Sequence, residues 1–443
     1  MQPNKKRLAK ICRDRQDQAE AAARAIGRLR ELPLLETQSA ALLREALTAG
    51  GFSIERGFPQ MPTAFVASYG SGGPVIGLLA EYDALPDCGP GGKGPGHGCG
   101  HNLLGTAGTY AAIAVAQLLA EAGLPGTIKL FGTPAEETLV GKVYMARDGA
   151  FDGLDACLAW HPGAASRVDV GGGTAMDSLT YEFFGRTAHA AGNPHEGRSA
   201  LDAVEIMNVA VNFLREHVPS NVRMHYAIMD GGKAPNVVPP YARSWYFIRG
   251  RDREQVAAVS ERVDKCARAA ALATETKMKR TILAACYNRL GNDAIAGVLD
   301  ANLRLVGAPQ FDDSDREAAK ALGASGDLDD KIGDIKTEQG SGSSDEGNVS
   351  WITPLGVLNV ACSSRGTPGH HYLVHEESLA PAAMKGLRVA VQTLAFSAWD
   401  LLTDPAVLKE AKEEFARKTE GRPYDPVIPA RQRPPLQDRI PPR

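Results

Sequence analysis

No uninterrupted apolar run in this chain of 443 residues reaches the roughly 18 residues needed to cross a bilayer. The longest apolar stretch, 107–122, is broken by Gly, Thr, Tyr, Gln and Glu, so no membrane partner is expected. An excess of one charge is also lacking. The formal net charge is −3, which removes the electrostatic case for nucleic acid or an anionic surface. Cysteine is sparse: seven, an odd number at wide spacings, do not make a disulfide framework, and a reducing cytoplasm is the expected compartment. The basic start "KKRLAK" runs into charged sequence rather than an apolar segment, so no secretory signal is expected. Internal repeats are absent. What remains, 44% hydrophobic and 23% charged, is an ordinary globular balance, and the length implies two or three domains.

The first 50 residues, rich in Ala, Arg, Leu and Glu with Pro33 as the clear interruption, read as helical. "PVIGLLAEYDALPDCG" is a continuous apolar run ending in acids, the pattern of a buried strand that opens onto a site. After a glycine-dense loop come an Ala-rich helix stopped by Gly123 and Pro125, then strands "GTIKLFGTP" and "DACLAWHPG". Strands alternating with helices predict an α/β sheet, the first part of a catalytic domain over 1–175. From residue 176 the pattern becomes strand, helix (199–217), strand, strand, helix (253–273), strand. That β-α-β-β-α-β order predicts a ferredoxin-like α+β unit inserted over 176–288. Residues 289–420 then return to the first domain. Their polar run from "FDDSD" to "SSDEG" reads as a surface excursion whose charge needs no functional explanation. The end, 421–443, reads as a flexible tail, because 423–443 hold seven prolines and four arginines.

Chemistry-bearing residues collect at the ends of the predicted strands. "GPGHGCGHNLLGTA" sets His97, Cys99 and His101 in the glycine loop, and thiolate and imidazole are common metal donors. Asp83 ends one strand, Glu136 and Glu137 follow the next, His161 ends another, and His370 and His371 come late. A histidine at a strand end is ordinarily a satisfied side chain, and paired acids ordinarily serve a helix N-terminus. Several such sets at one edge of one sheet favour a metal centre instead. One glutamate would then bind metal. Its neighbour would take a proton from a water whose pKa the metal lowers from about 15.7 toward 7, and pass it to a leaving amine. His195, His217, His225 and the cysteines other than Cys99 carry no assignment.

Taken in order, "GHGCGHN", "TPAEE", "AWHP", "GRTAHAAGNPHEGRSALDAV", "NVVP" and "GTPGHHYLVHEE" resemble the metal-dependent aminoacylase and carboxypeptidase family. The subgroup is the one that includes the auxin-conjugate amidohydrolases, and the likeness runs from about residue 8 to 418. It implies a mixed-sheet, metallo-exopeptidase-like α/β catalytic domain with an inserted lid and dimerisation domain. It implies Mn²⁺ or Zn²⁺, one or two ions per subunit, held by Cys99, His101, Glu137, His161 and His370. Glu136 would be the general base. His189 would stabilise the oxyanion, often in the other subunit's site, and Asn236 and Arg249 would hold the substrate carboxylate or the tetrahedral intermediate. The implied protein is a homodimer or higher oligomer that hydrolyses an aryl- or acyl-amino acid amide, a small-molecule substrate. Two other readings are hydrolytic deamination of a substituted aromatic amine and a non-catalytic partner subunit.

The chain departs from the family pattern in places. Asn102 stands where auxin-conjugate hydrolases carry aspartate, which would remove a carboxylate beside the metals. Glu81 replaces the histidine of a His-x-Asp metal motif, which leaves the role of Asp83 open. His371 and His375 lie near enough to His370 to replace it, and His97 is expected to support a ligand or a backbone carbonyl.

Overall fold

The computed structural model describes residues 2–436. Three helices open the chain: α1 (Pro3–Asp14), with proline in its first turn, α2 (Gln16–Leu29) and α3 (Thr37–Ala49). The catalytic sheet then begins with β1 (Ser53–Gly57), β2 (Phe65–Ser71) and β3 (Val75–Ala80), followed by α4 (His101–Ala122), β4 (Gly126–Gly132), α5 (Gly141–Arg147), β5 (Ala156–Gly163) and β6 (Arg167–Val168). A second unit intervenes: β7 (Ala175–Phe184), α6 (Ala200–Leu214), β8 (Arg223–Asp230), β9 (Tyr241–Gly250), α7 (Arg253–Ala273) and β10 (Lys277–Cys286). The chain returns through α8 (Asp293–Val306), α9 (Asp313–Leu322), α10 (Glu346–Ser350), β11 (Leu355–Ala361), α11 (Tyr372–Leu379), α12 (Pro381–Thr403) and α13 (Pro405–Thr419).

The larger sheet has the order β1-β2-β4-β3-β5-β11-β6. Its four inner strands, β4, β3, β5 and β11, are parallel; β2 and β6 flank them antiparallel, and β1 pairs antiparallel with β2. Parallel strands buried on both faces read as unbroken apolar runs, as "VIGLLA" of β3 does. Helix α4 packs closely on β3 because two of its positions are glycine. A Cβ at Gly105 would meet the Glu81 carbonyl oxygen at 2.4 Å, and one at Gly108 the Leu79 oxygen at 2.5 Å. Contrary to the reading of 107–122, α4 is long and apolar enough to cross a membrane by length and composition. It is instead a core helix, buried against the sheet, α1, α2 and α12.

The smaller sheet is antiparallel throughout, with order β10-β7-β9-β8. Strand β9 alternates strictly: Ala242, Ser244, Tyr246 and Ile248 are buried, whereas Arg243, Trp245, Phe247 and Arg249 stand on the other face. The unit is the ferredoxin-like arrangement.

Two segments differ from their sequence reading. The polar run after α8 is not a plain surface excursion. It forms α9 behind an Asp312–Asp315 capping box, bridges to Ser166 and Asp169, and ends in the buried acids Asp345 and Glu346. Residues 421–436 are packed rather than a flexible tail. Proline supplies no N–H, so side chains of the body serve this segment's carbonyls. Tyr287 donates to Asp425 O at 2.8 Å, and the Arg147 guanidinium donates to Gln432 O at 2.6 Å. Asn348 donates to the Tyr424 hydroxyl at 2.8 Å, and Ile428 is buried. The rest of the expected tail, 437–443, lies outside the described residues.

Candidate metal centre

Each donor is placed by what ends a strand or starts a helix. Beyond β3, Asp83 Oδ1 lies 2.9 Å from His101 Nδ1, and Oδ2 accepts Glu137 N at 3.0 Å. Both oxygens are therefore engaged. Asp83 fixes the imidazole with Nε2 facing the cluster, the usual arrangement behind a metal-binding histidine. Gly100 takes φ +74°, which lets α4 begin abruptly at His101. Past β4, Glu136 and Glu137 occupy one 3-10 turn between Ala135 and Leu139, both at φ +58°. Such left-handed residues cost about 1–3 kcal/mol each. The buried Glu36 carboxylate helps hold the turn by accepting Ala135 N at 2.8 Å. On β5, His161 directs Nδ1 at Pro162 O (2.6 Å) and Nε2 at Cys99 Sγ (3.2 Å). His370, at φ +56°, donates its N–H to Gly98 O at 3.0 Å, and its carbonyl accepts the Cys88 thiol at 3.3 Å.

Three donor triads result, Cys99–His101–His161, Cys99–Glu137–His370 and Glu81–His101–Glu136, each with all donor atoms within 4.8 Å of one another. Cys99 belongs to the first two. His101 Nε2 and Glu137 Oε1 are buried with no hydrogen-bond partner. Leaving a buried polar atom unpaired costs about 1–3 kcal/mol. A metal ion would satisfy both atoms, and thiolate, imidazole and carboxylate are suitable donors.

Electrostatics agree. Burial alone would raise the Cys99 thiol, but the neighbouring His161, hydrogen-bonded to it, and the nearby His101 and His370 hold it well below the usual thiol range. Burial would lower His161, yet Cys99 lifts it to about 9. Both glutamates are pushed well above the usual carboxylate range, by burial first, then by Glu81 and Asp345 at Glu136 and by Cys99 at Glu137. Without a cation these two acids are thus driven toward their neutral forms, and a divalent ion would offset the charge of the ionised forms.

Cys99, Glu137, His161 and His370, together with Glu136, line a cleft of about 370 Å³ in front of the buried His101, and β9 adds Phe247 and Arg249 to its wall. Arg289 pairs with Asp169 (3.1 Å) and Glu346 (3.2 Å), and Lys336 with Asp169 (3.2 Å). Arg249 reaches Ser343 Oγ at 3.2 Å, but its Nε is buried without a partner.

Residues 175–275 match the family described as the M20 peptidase dimerisation domain. Over 439 residues the chain is 36% identical to one of the p-aminobenzoyl-glutamate hydrolase subunits of Escherichia coli (strain K12), covering 89% of this chain and 91% of that protein. The chain belongs to the M20 peptidase family. It is also 30% identical to the Xaa-Arg dipeptidase of Mus musculus over 81% of this chain and 79% of that protein. A solved structure described as a dinuclear metal-binding peptidase of the M20 family, from Bacillus subtilis, shares the fold. Its TM-score is 0.59 at 19% identity, over 88% of this chain and 99% of that one. M20 membership makes this protein a hydrolase of amide C–N bonds, and the α/β domain with an inserted ferredoxin-like unit is the M20 fold.

Of the residues singled out by the M20 motifs, Cys99, His101, Glu136, Glu137, His161 and His370 converge, and Arg249 joins them from the inserted unit. His189 and Asn236 do not line this cleft. Both are exposed on neighbouring loops of the inserted unit, where Ala190 N donates to Asn236 O at 3.0 Å. Asn102 does not stand in for a metal-side carboxylate, because its amide donates to Ala23 O at 3.2 Å and approaches Ser378 O at 3.5 Å, on α2 and α11. Nor are His371 and His375 placed to replace His370. His371 Nδ1 accepts Leu373 N at the start of α11, and His375 Nδ1 accepts the backbone N–H of His97 at 3.2 Å. His97 in turn faces Ile26 O at 3.1 Å, so it supports the loop through a backbone carbonyl. Sequence reasoning missed Lys142 and Asp345, both fully buried beside Glu136. The available signal was a lone lysine in the otherwise apolar "LVGKVYMA".

Proposed function

We propose that this protein is a metal-dependent amidohydrolase that cleaves an aryl- or acyl-amino acid amide of the p-aminobenzoyl-glutamate type. The observation that carries the reading is the pair of donor triads sharing Cys99, with the Glu136 carboxyl beside them, 3.9 Å from His101 Nε2. Cys99, His101 and His161 would hold one ion, and Cys99, Glu137 and His370 a second. The donor set suits Zn²⁺ or Mn²⁺. When bound, such an ion lowers the pKa of water and polarises an amide carbonyl. Glu136 takes the proton as the water oxygen attacks that carbonyl. Its raised carboxyl pKa suits a group that must afterwards act as an acid near neutrality. It then delivers the proton to the amide nitrogen as the C–N bond breaks, releasing a carboxylate and an amine. Arg249, which forms no ion pair among the described residues, is free to receive the substrate carboxylate.

The inserted unit supports a homodimer. Helix α6 exposes Ile206, Val209 and Phe213, the last at 74%, and strand β8 at the sheet edge exposes Tyr226, Ile228 and Met229. An apolar helix face beside an open sheet edge is a surface a second copy would cover. In that assembly His189 and Asn236 would serve the site of the other subunit, stabilising the oxyanion. The free thiols of the seven cysteines favour a reducing, cytoplasmic setting.

The test is turnover in ¹⁸O-labelled water by protein loaded with Mn²⁺ or Zn²⁺, offered aryl- and acyl-amino acids and substituted aminobenzoates. Label in a new carboxylate establishes amide hydrolysis and names the acyl half. Label in a phenol, with ammonia released, would replace this reading by aromatic deamination.

A further inference from the structure

Behind the donor cluster lies a lysine that the reaction does not use. Lys142, on α5, is wholly buried, and its ammonium contacts Glu81 Oε1 at 2.6 Å and Asp345 Oδ1. Its backbone N–H also donates to Asp345 Oδ2 at 2.8 Å. Lysine is almost never fully buried unless paired, and a buried ion pair is weak evidence for stability, since apolar residues of similar volume often do as well. The arrangement calls for a reason other than holding the fold.

Glu81 supplies one. With Oε1 on Lys142, its other oxygen, Oε2, lies 3.4 Å from His101 Nε2, the buried nitrogen that has no hydrogen-bond partner. Two donors about 2.0–2.1 Å from one tetrahedral ion stand roughly 3.3 Å apart. The other approaches to this nitrogen, Glu136 Oε2 and Glu137 Oε1, are both 3.9 Å. Glu81, His101 and Glu136 also form a third group whose donor atoms lie within 4.8 Å of one another.

We propose that Lys142 is a positioning residue of the metal centre: anchored by Asp345, it clamps one oxygen of Glu81 and keeps the other trained on the space before His101 Nε2, as an added carboxylate donor. The proposal rests on the reading of the cluster as a metal site. It joins the end of β3, the start of α5 and the segment before α10, so that the second part of the catalytic domain helps set the donor geometry of the first.

The experiment is calorimetric titration of Zn²⁺ into the metal-free full-length protein, with visible spectra of the Co²⁺ form as a second readout. Glu81→Gln keeps size and a hydrogen bond to Lys142, so it should fold. Its Zn²⁺ affinity should fall at least tenfold, in line with the 10–100-fold losses usual around metal sites, and its Co²⁺ absorption should change. The double variant Lys142→Met with Asp345→Asn removes one charge of each sign. It should show a similar loss, and adding Glu81→Gln to it should lower affinity less than about twofold further, because Lys142 acts through Glu81. If Glu81→Gln binds Zn²⁺ as the parent does with an unchanged Co²⁺ spectrum, the proposal is wrong. A double variant that folds and keeps parental affinity overturns it equally. Cys99→Ser is the control that separates the two readings: if it too leaves Zn²⁺ binding intact, the metal centre itself is misassigned.

Discussion

Replacing Asn102 by aspartate tests how the start of α4 is held. The Asn102 side chain is buried, with Nδ2 donating to Ala23 O and approaching Ser378 O. An ionised carboxylate has only acceptors to offer those carbonyls, so the introduced aspartate must keep its proton in the folded state. The unfolded chain has a carboxyl pKa of about 3.9, and each unit of pH above that value costs about 1.4 kcal/mol. At neutral pH the penalty is therefore about 4 kcal/mol, offset by roughly 1 kcal/mol for the hydrogen bond that the protonated acid can donate. The sign follows from the raised folded-state pKa: the folded form binds a proton that the unfolded form lacks, so the loss grows as pH rises. Urea unfolding of Asn102→Asp and its parent, compared at about pH 5.5 and pH 7, should show the stability gap widening by about 2 kcal/mol. A gap that stays constant with pH, or a variant as stable as its parent, would refute the described amide contacts.

Four other outcomes are expected. Burial, with His101 and His375 nearby, lowers the folded-state pKa of His97 to about 3. Its contribution is present above the unfolded value of about 6.5 and fades as pH falls. His97→Gln should therefore remove about 2 kcal/mol of the stability lost between about pH 7 and pH 5, read from urea midpoints. Glu136→Gln should cut turnover at least ~100-fold while leaving metal content, measured by elemental analysis, at the parental level. Gly141→Ala would put a Cβ 1.8 Å from the Pro134 carbonyl oxygen, so a loss of about 2–4 kcal/mol is expected in thermal unfolding. Phe213→Asp should convert a dimer to monomer in analytical ultracentrifugation, and a species of unchanged mass would remove α6 from the interface.

How much of this was legible beforehand depended on whether a residue's meaning lay in its own segment. The strand ends were readable because β3 and β4 are short apolar runs that stop shortly before Asp83 and Glu136, β5 carries His161 near its end, and the glycine loop marked Cys99 and His101. The β-α-β-β-α-β order of the inserted unit was readable for the same reason. What escaped were residues defined by distant partners. In "LVGKVYMA" a lysine on a short helix looks solvent-facing, and in "SGSSDEG" an aspartate looks like linker. Only when the chain returns to the first sheet do Lys142 and Asp345 meet, and each makes burial of the other tolerable. The proline-rich end failed in the opposite direction: composition argued for disorder, whereas Arg147, Tyr287 and Asn348 supply the hydrogen bonds that the tail cannot provide for itself. Asn102 shows the same limit at the site. Its place after "CGH" pointed to the metals, but a side chain on the first turn of α4 can also face α2 and α11, and the carbonyls there select the amide. Spacing along a strand or helix therefore locates the donors, whereas the charge each one carries is settled by segments that periodicity does not connect.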